Sequence, residues 1–181
     1  MKTPACRKKR IKTKNKGNSK IDKGLENLKI IGSDEWCVFK KLGIPAIKAR
    51  VDSGAKTSSI HASNIEIFSK DGVDWVRFEV DPIQDDSSIL IKCEAKLLRS
   101  KMIKSSMGAS EERLMIRTAL TLGEDTYLIK LTLASRDTMN YRMLLGREAL
   151  NKRYLINPVE QCLLGKLTQE EVLQKYSQFS K

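Results

Sequence analysis

The stretch Ile47–Ala62, IKARVDSGAKTSSIHA, carries an apolar and basic run into one aspartate, Asp52, followed at once by Ser53, Gly54 and Ala55. A carboxylate that activates water needs a fixed place at a strand end, donors that hold it in plane, and small neighbours that let substrate approach. Asp-Ser-Gly-Ala meets each need. Asp52 carries the charge, Ser53 offers a supporting hydroxyl, Gly54 permits a tight turn and exposes an amide, and Ala55 leaves room. The four residues alone do not decide the matter, because a solvated Asp-Ser-Gly β-turn satisfies the same pattern.

Working outward, runs of strand length recur. EWCVFKKLGI ends at Pro45, AIKARV leads into Asp52, and SNIEIF and VDWVRFEV flank Lys70, Asp71 and Gly72, a hairpin signal. SSILIKCEAKLL follows, then RLMIRTALTL and TYLIKLTLA on either side of Gly123, Glu124 and Asp125. Many short strands with tight turns predict a mainly β fold, a small and mostly antiparallel barrel or sandwich. Trp36 and Trp75 lie on strand-like runs and are expected to fill its core. Helix signals are few. GREALNKR, Gly146 to Arg153, reads as one short helix, and TQEEVLQKYSQF opens with Thr168 and Glu171 at capping-box spacing.

With 181 residues, 40% hydrophobic and 31% charged, the chain suits one modest core and is too short for two large domains. Residues 1–29 hold eleven Lys and Arg against Asp22 and Glu26, so +9 of the net +12 lies there. Such a segment cannot bury enough apolar surface to offset its ordering entropy and is expected to be a disordered basic tail. Two readings stay open for it, a solvated tail that aids solubility and a contact with ribosome or RNA through counterion release. Cys6, Cys37, Cys93 and Cys162 form no C-x-x-C pair, and His61 is the single histidine, which favours reduced thiols over a disulfide framework or a zinc site. No run approaches the ~18 apolar residues of a membrane span, so a soluble, cytoplasmic protein without a membrane partner is expected.

A second element lies downstream of Asp52. MNYRMLLGREAL, Met139 to Leu150, sets the apolar pair Leu144 and Leu145 before Gly146 and the short helix. The order of an Asp-Ser-Gly turn followed by such a strand resembles the plan of retropepsin-type aspartic proteases. Together with WVRFEV, MIKSSMG, EERLMIRTALTLG and LINP, the chain from about Ile30 to Pro158 is similar to the bacterial family labelled ATP-dependent zinc proteases, whose members are read as retropepsin-like.

The resemblance implies a small closed barrel of the acid-protease fold with one or two short helices. It divides the chain into the tail at 1–29, a peptidase domain at 30–160 and a C-terminal helical extension at 161–181. It departs from the family in having Ser53 where threonine is usual and FKKLG, Phe39 to Gly43, where Leu-Pro is common. Zinc and ATP find no support in the residues, since neither H-E-x-x-H nor a phosphate-binding G-x-x-x-x-G-K-[ST] occurs; no cofactor and no metal are expected.

The implied chemistry needs two carboxylates sharing a proton. One Asp-Ser-Gly turn per chain points to a homodimer that pairs Asp52 with its symmetry mate, and Asp137 in SRDTM is the intrachain alternative, though a turn or cap role suits it better. Lys56, Lys104, Ser106, Arg136 and Arg142 are the candidate substrate-binding residues, with Lys104 and Ser106 on a flap or cleft-wall segment. A cationic cleft favours an acidic peptide. The family's association with a ribosomal-protein glutamate ligase points the same way, to a glutamate-modified ribosomal protein. The alternative class is an inactive module of the same fold that docks on ribosome or RNA through its tail. His61 is expected to be a loop or packing residue.

Overall fold

The structure is a computed structural model that describes residues 27–84, 86, 88–104 and 110–179; the basic segment through residue 26 and Ser106 lie outside them. Its strands are β1 (Lys29–Ile31), β2 (Asp34–Phe39), β3 (Ile44–Asp52), β4 (Ser58–His61), β5 (Ser63–Lys70), β6 (Val73–Val80), β7 (Ile91–Lys104), β8 (Ser110–Leu122), β9 (Asp125–Ala134), β10 (Met143–Gly146) and β11 (Tyr154–Ile156). Two helices are short, α1 (Arg147–Leu150) and α2 (Gln169–Phe179).

Six strands close on themselves in the order β2-β3-β10-β4-β9-β8, with β8 returning to β2 through Cys37 opposite Leu122 and Val38 opposite Thr121. The fold is therefore a barrel, not the sandwich the sequence left open. Period-2 alternation fills it: Ile47 and Ala49 of β3, Met143 and Leu145 of β10, Ile129, Leu131 and Leu133 of β9, and Leu120 and Leu122 of β8 all point inward. Beyond β8 the sheet continues through β7 and β6 to β5. The β5–β6 hairpin turns through Asp71 at φ 54° and Gly72 at φ 71°, the two left-handed residues that a type I′ turn requires.

Four details differ from the sequence reading. FKKLG is not continuous strand: Lys40–Leu42 form a 3₁₀ turn stopped by Gly43 at φ 71°. Trp75 is half-buried with the Lys70 ammonium 5.2 Å from its ring centre, because its face of β6 lies at the outer side of the flank sheet. The helix after Gly146 spans Arg147–Leu150 and ends at Asn151, four residues where the sequence pattern suggests eight. Lys29, assigned to the tail, opens β1, which pairs in parallel with β11.

The C-terminal segment is tied to the barrel. The buried Glu35 carboxylate accepts the amides of Gly32 (2.7 Å), Leu163 (2.9 Å) and Leu164 (3.2 Å). The capping box forms as read: the Thr168 amide donates to Glu171 Oε2 at 2.8 Å, and the Glu171 amide to Thr168 Oγ1 at 3.2 Å. α2 then buries Val172 and Tyr176 against Ala46 on the outer face of β3, with Trp36 beside them, and the Tyr176 hydroxyl donates to the Ala46 carbonyl.

Candidate active site

Asp52 is the last residue of β3, partly buried, and its Oδ1 accepts the amides of Gly54 at 2.8 Å and Ala55 at 3.1 Å. Two donors on one oxygen fix the carboxylate plane. The expected supporting bond from Ser53 is not formed within the chain, since among the described residues the donors are these two amides and Ser53 is exposed. The carbonyls on the other side of the turn are also held: the Arg147 guanidinium donates to Ser53 O at 2.7 Å and to Gly54 O at 2.9 Å.

β10 is threaded between β3 and β4. It pairs in parallel with β3, placing Leu144 beside Arg50 and Gly146 beside Asp52, and antiparallel with β4, placing Met143 beside Ile60. The first amides of α1 then close the turn, Arg147 to Ala55 O at 2.8 Å and Glu148 to Lys56 O at 3.0 Å, and the Gly146 amide donates to Ser58 Oγ at 3.1 Å. Gly146 is extended, at φ −85°, yet a Cβ there would lie 2.6 Å from Thr57 C and 2.8 Å from Thr57 O. Its lack of a side chain lets the threaded strand reach the turn.

The remaining predicted residues are placed as follows. Lys56 is exposed with its ammonium 3.8 Å from Glu148, bordering a cavity of about 870 Å³ that Ser53, Arg147, Lys152 and Tyr154 also line. Lys104 ends β7, and its side chain lies outside the described residues. Arg136 is half-buried and donates through Nε to the Tyr141 carbonyl at 3.1 Å. Burial holds its guanidinium below the usual arginine value, the Arg113 charge acts in the same direction, and the Asp52 charge opposes them. Arg142 is drawn into a cluster with Asp81 (2.9 Å) and Asp137 (3.9 Å).

His61 joins that cluster at the end of β4. Its Nδ1 accepts the Arg136 amide at 2.9 Å, and its Nε2 lies 3.4 Å from Asp81 and 3.3 Å from Asp137. This is the packing role expected of it, extended to fixing the loop that carries Arg136. Asp137 is spent there: a bond from Ser135 (2.7 Å) and the His61 and Arg142 charges hold its carboxyl below the ordinary range. Among the described residues no group of three or more His, Cys, Asp or Glu is arranged to hold a metal ion, and both carboxylates beside His61 are shared with the Arg142 guanidinium.

The sequence reading missed Arg147 as the clasp of the turn, although it directly follows the quoted Leu144-Leu145-Gly146. It also missed the buried Asp34, whose Oδ2 accepts the Tyr141 hydroxyl at 2.6 Å and whose Oδ1 faces Lys48 at 3.4 Å. Burial opposes the charge of Asp34, but these partners and Cys162 hold its carboxyl below the ordinary value. Nothing in the local sequence marks that residue.

A closed barrel whose carboxylate turn is backed by a threaded strand is the retropepsin-like plan. The chain belongs to the RimB-like family, described as retropepsin-like aspartic endopeptidase RimB, whose model matches residues 30–166. Among curated proteins it is 53% identical over 149 residues to a probable alpha-L-glutamate ligase of Desulfotalea psychrophila and 52% over 151 residues to one of Shewanella pealeana. Those matches cover 82% and 83% of this chain but 32% and 33% of the relatives, so the chain spans about a third of their length. A solved Legionella pneumophila protein of unknown function shares the fold, with a TM-score of 0.64 at 24% identity over 76% of this chain and 98% of that one.

Proposed function

We propose that this chain is an aspartic-type endopeptidase that works as a homodimer on acidic, glutamate-rich peptides. The observation that carries the reading is Asp52, fixed by the Gly54 and Ala55 amides at the end of β3 with Gly146 of the threaded strand beside it. One carboxylate takes a proton from water while the other donates one to the scissile carbonyl, so two are needed within reach of each other. Among the described residues no hydrogen bond joins Asp52 to a second carboxylate, and Asp137 is committed to His61 and Ser135. The partner's copy of the same turn is the economical second donor.

A surface for that copy lies beside the turn. The two-stranded sheet of β1 and β11 leaves Ile30, Leu155 and Ile156 exposed, Val159 follows at 85% exposure, and Ile156 borders the same cavity as Ser53. Burying such a cluster stabilises association by about 25 cal/mol per Å² of apolar surface. The cations around the turn and the relatives' name support this substrate class, since proteins named for glutamate ligation contain a segment like this one.

The test is Asp52→Asn. Asparagine keeps the shape and one acceptor but cannot take the proton, so hydrolysis of an oligoglutamate peptide should fall by at least a thousandfold while the melting temperature holds or rises. Undiminished turnover by the purified variant would sink the reading.

A further inference from the structure

Of the cations around the turn, most are already engaged. Lys48 faces Asp34 at 3.4 Å, Arg142 faces Asp81 at 2.9 Å, and Lys56 faces Glu148 at 3.8 Å. Arg147 holds the Ser53 and Gly54 carbonyls, and Arg136 Nε is bonded to the Tyr141 carbonyl. Arg50 differs. It is exposed, and among the described residues no carboxylate forms an ion pair with it; its guanidinium carbon lies 5.9 Å from the centre of the Tyr141 ring.

Its place on the strand is equally specific. In β3, Ile47, Ala49 and Val51 turn to the core, so Lys48, Arg50 and Asp52 share the outer face. Two residues of strand advance about 6.7 Å, which is also the step between alternate side chains of an extended peptide. Arg50 therefore stands one such step from the carboxylate, with Leu144 of β10 beside it. The Tyr141 ring beneath it is itself anchored, its hydroxyl donating to Asp34 at 2.6 Å. The anchor also occupies Asp34, the carboxylate directly across the strand pair from Arg50. An exposed guanidinium held at a fixed tyrosine, beside an apolar residue, suits a carboxylate on a short aliphatic stem.

We infer that Arg50, seated on Tyr141, is the specificity-determining residue that selects a glutamate side chain next to the scissile bond. The inference rests on the peptidase reading for the word scissile, and on the outer face of β3 for the selection itself. Arg142, read from sequence as a substrate contact, becomes on this view a support for the loop, and Arg50 takes its place.

The experiment measures binding first, so that it does not depend on turnover. Full-length Asp52→Asn protein is titrated with an oligoglutamate peptide and with its oligoglutamine counterpart, at low and at raised salt. The glutamate peptide should bind at least tenfold more tightly, with the difference shrinking as salt screens it. Arg50→Gln in that background should remove most of the preference by weakening the glutamate peptide ten- to a hundredfold while changing the glutamine peptide less than twofold. Arg50→Lys, which keeps the charge and loses the planar fork, should restore part of it. No preference in the Asp52→Asn protein, or an equal loss for both peptides on Arg50→Gln, overturns the inference. The salt-sensitive preference without any wild-type turnover would support it and count instead against the peptidase reading.

Discussion

Gly146→Ala tests the threaded strand directly. The backbone there is ordinary extended structure, at φ −85° and ψ 166°, so alanine meets no conformational penalty and the whole cost is space. The added methyl would sit 2.6 Å from Thr57 C, 2.8 Å from Thr57 O and 2.9 Å from Ser58 N, where carbon contacts settle near 3.5–4.0 Å. All three atoms are backbone, so β10 or the end of the Asp52 turn must move by roughly 0.7–1 Å. Overpacking of this kind costs about 1–3 kcal/mol, and rigid neighbours put this site toward the upper end. For a domain of this size that lowers the melting temperature by roughly 4–12 °C. The shift also displaces Asp52, and a 1 Å error in a reacting group costs on the order of a hundredfold in rate. Thermal unfolding and turnover of an acidic peptide are the assays. Gly72→Ala is the control: at φ 71° and with nothing within 4 Å of an added Cβ, it should cost about 1–2 kcal/mol through strain and leave turnover alone. If Gly146→Ala melts within a degree of wild type and keeps full activity, the threading argument is wrong.

Two other perturbations follow from the same geometry. Ile156→Asp places a charge in the exposed apolar strip of β11, and sedimentation across micromolar concentrations should show the dimer weakened at least tenfold with turnover falling in parallel; a dimer that survives moves the interface elsewhere. The Asp34 carboxyl titrates below its ordinary value in the folded chain, so its contribution is present above the unfolded pKa and is lost as pH falls through the folded one. Asp34→Asn should therefore cost about 1–3 kcal/mol near neutrality and flatten the acid limb of melting temperature against pH below about 4; parallel acid limbs for the two proteins would remove Asp34 from the account.

Much of the barrel was legible because its strands obey local rules. The Asp71-Gly72 turn, the alternation through β3 and β9 and the Thr168–Glu171 capping box each announce themselves within a few residues. The turn at Asp52 was legible for the same reason, since two amides two and three residues on are the natural donors to an aspartate at a strand end. What failed was non-local. The 3₁₀ turn at Lys40–Leu42 hides in a run whose apolar pattern also suits strand, and the half-buried Trp75 depends on which face of β6 has a partner layer. Asp81 and Arg142, 61 residues apart, form an ion pair that no spacing rule foretells.

The cations show why a charge count stops short of a site. Sequence supplies the sign and number of charges near the turn, and on that basis Arg136, Arg142 and Lys56 rank with any other. Folding then neutralises them unequally, because a guanidinium moved out of water is retained only where a carboxylate or carbonyl meets it. Arg142 is 14% exposed and pays for its burial with Asp81; Lys48 does the same with Asp34, and in doing so leaves Tyr141 fixed beneath Arg50. The buried pairs thus act on recognition indirectly, by holding the loop before β10 and by removing the acids that would otherwise quench Arg50. Selectivity for an acidic side chain would then depend on the balance of nearby charges rather than on their total, and Asp34→Asn, by freeing Lys48 and weakening the bond that fixes Tyr141, should blunt the preference for glutamate over glutamine even though it removes a negative charge from the site.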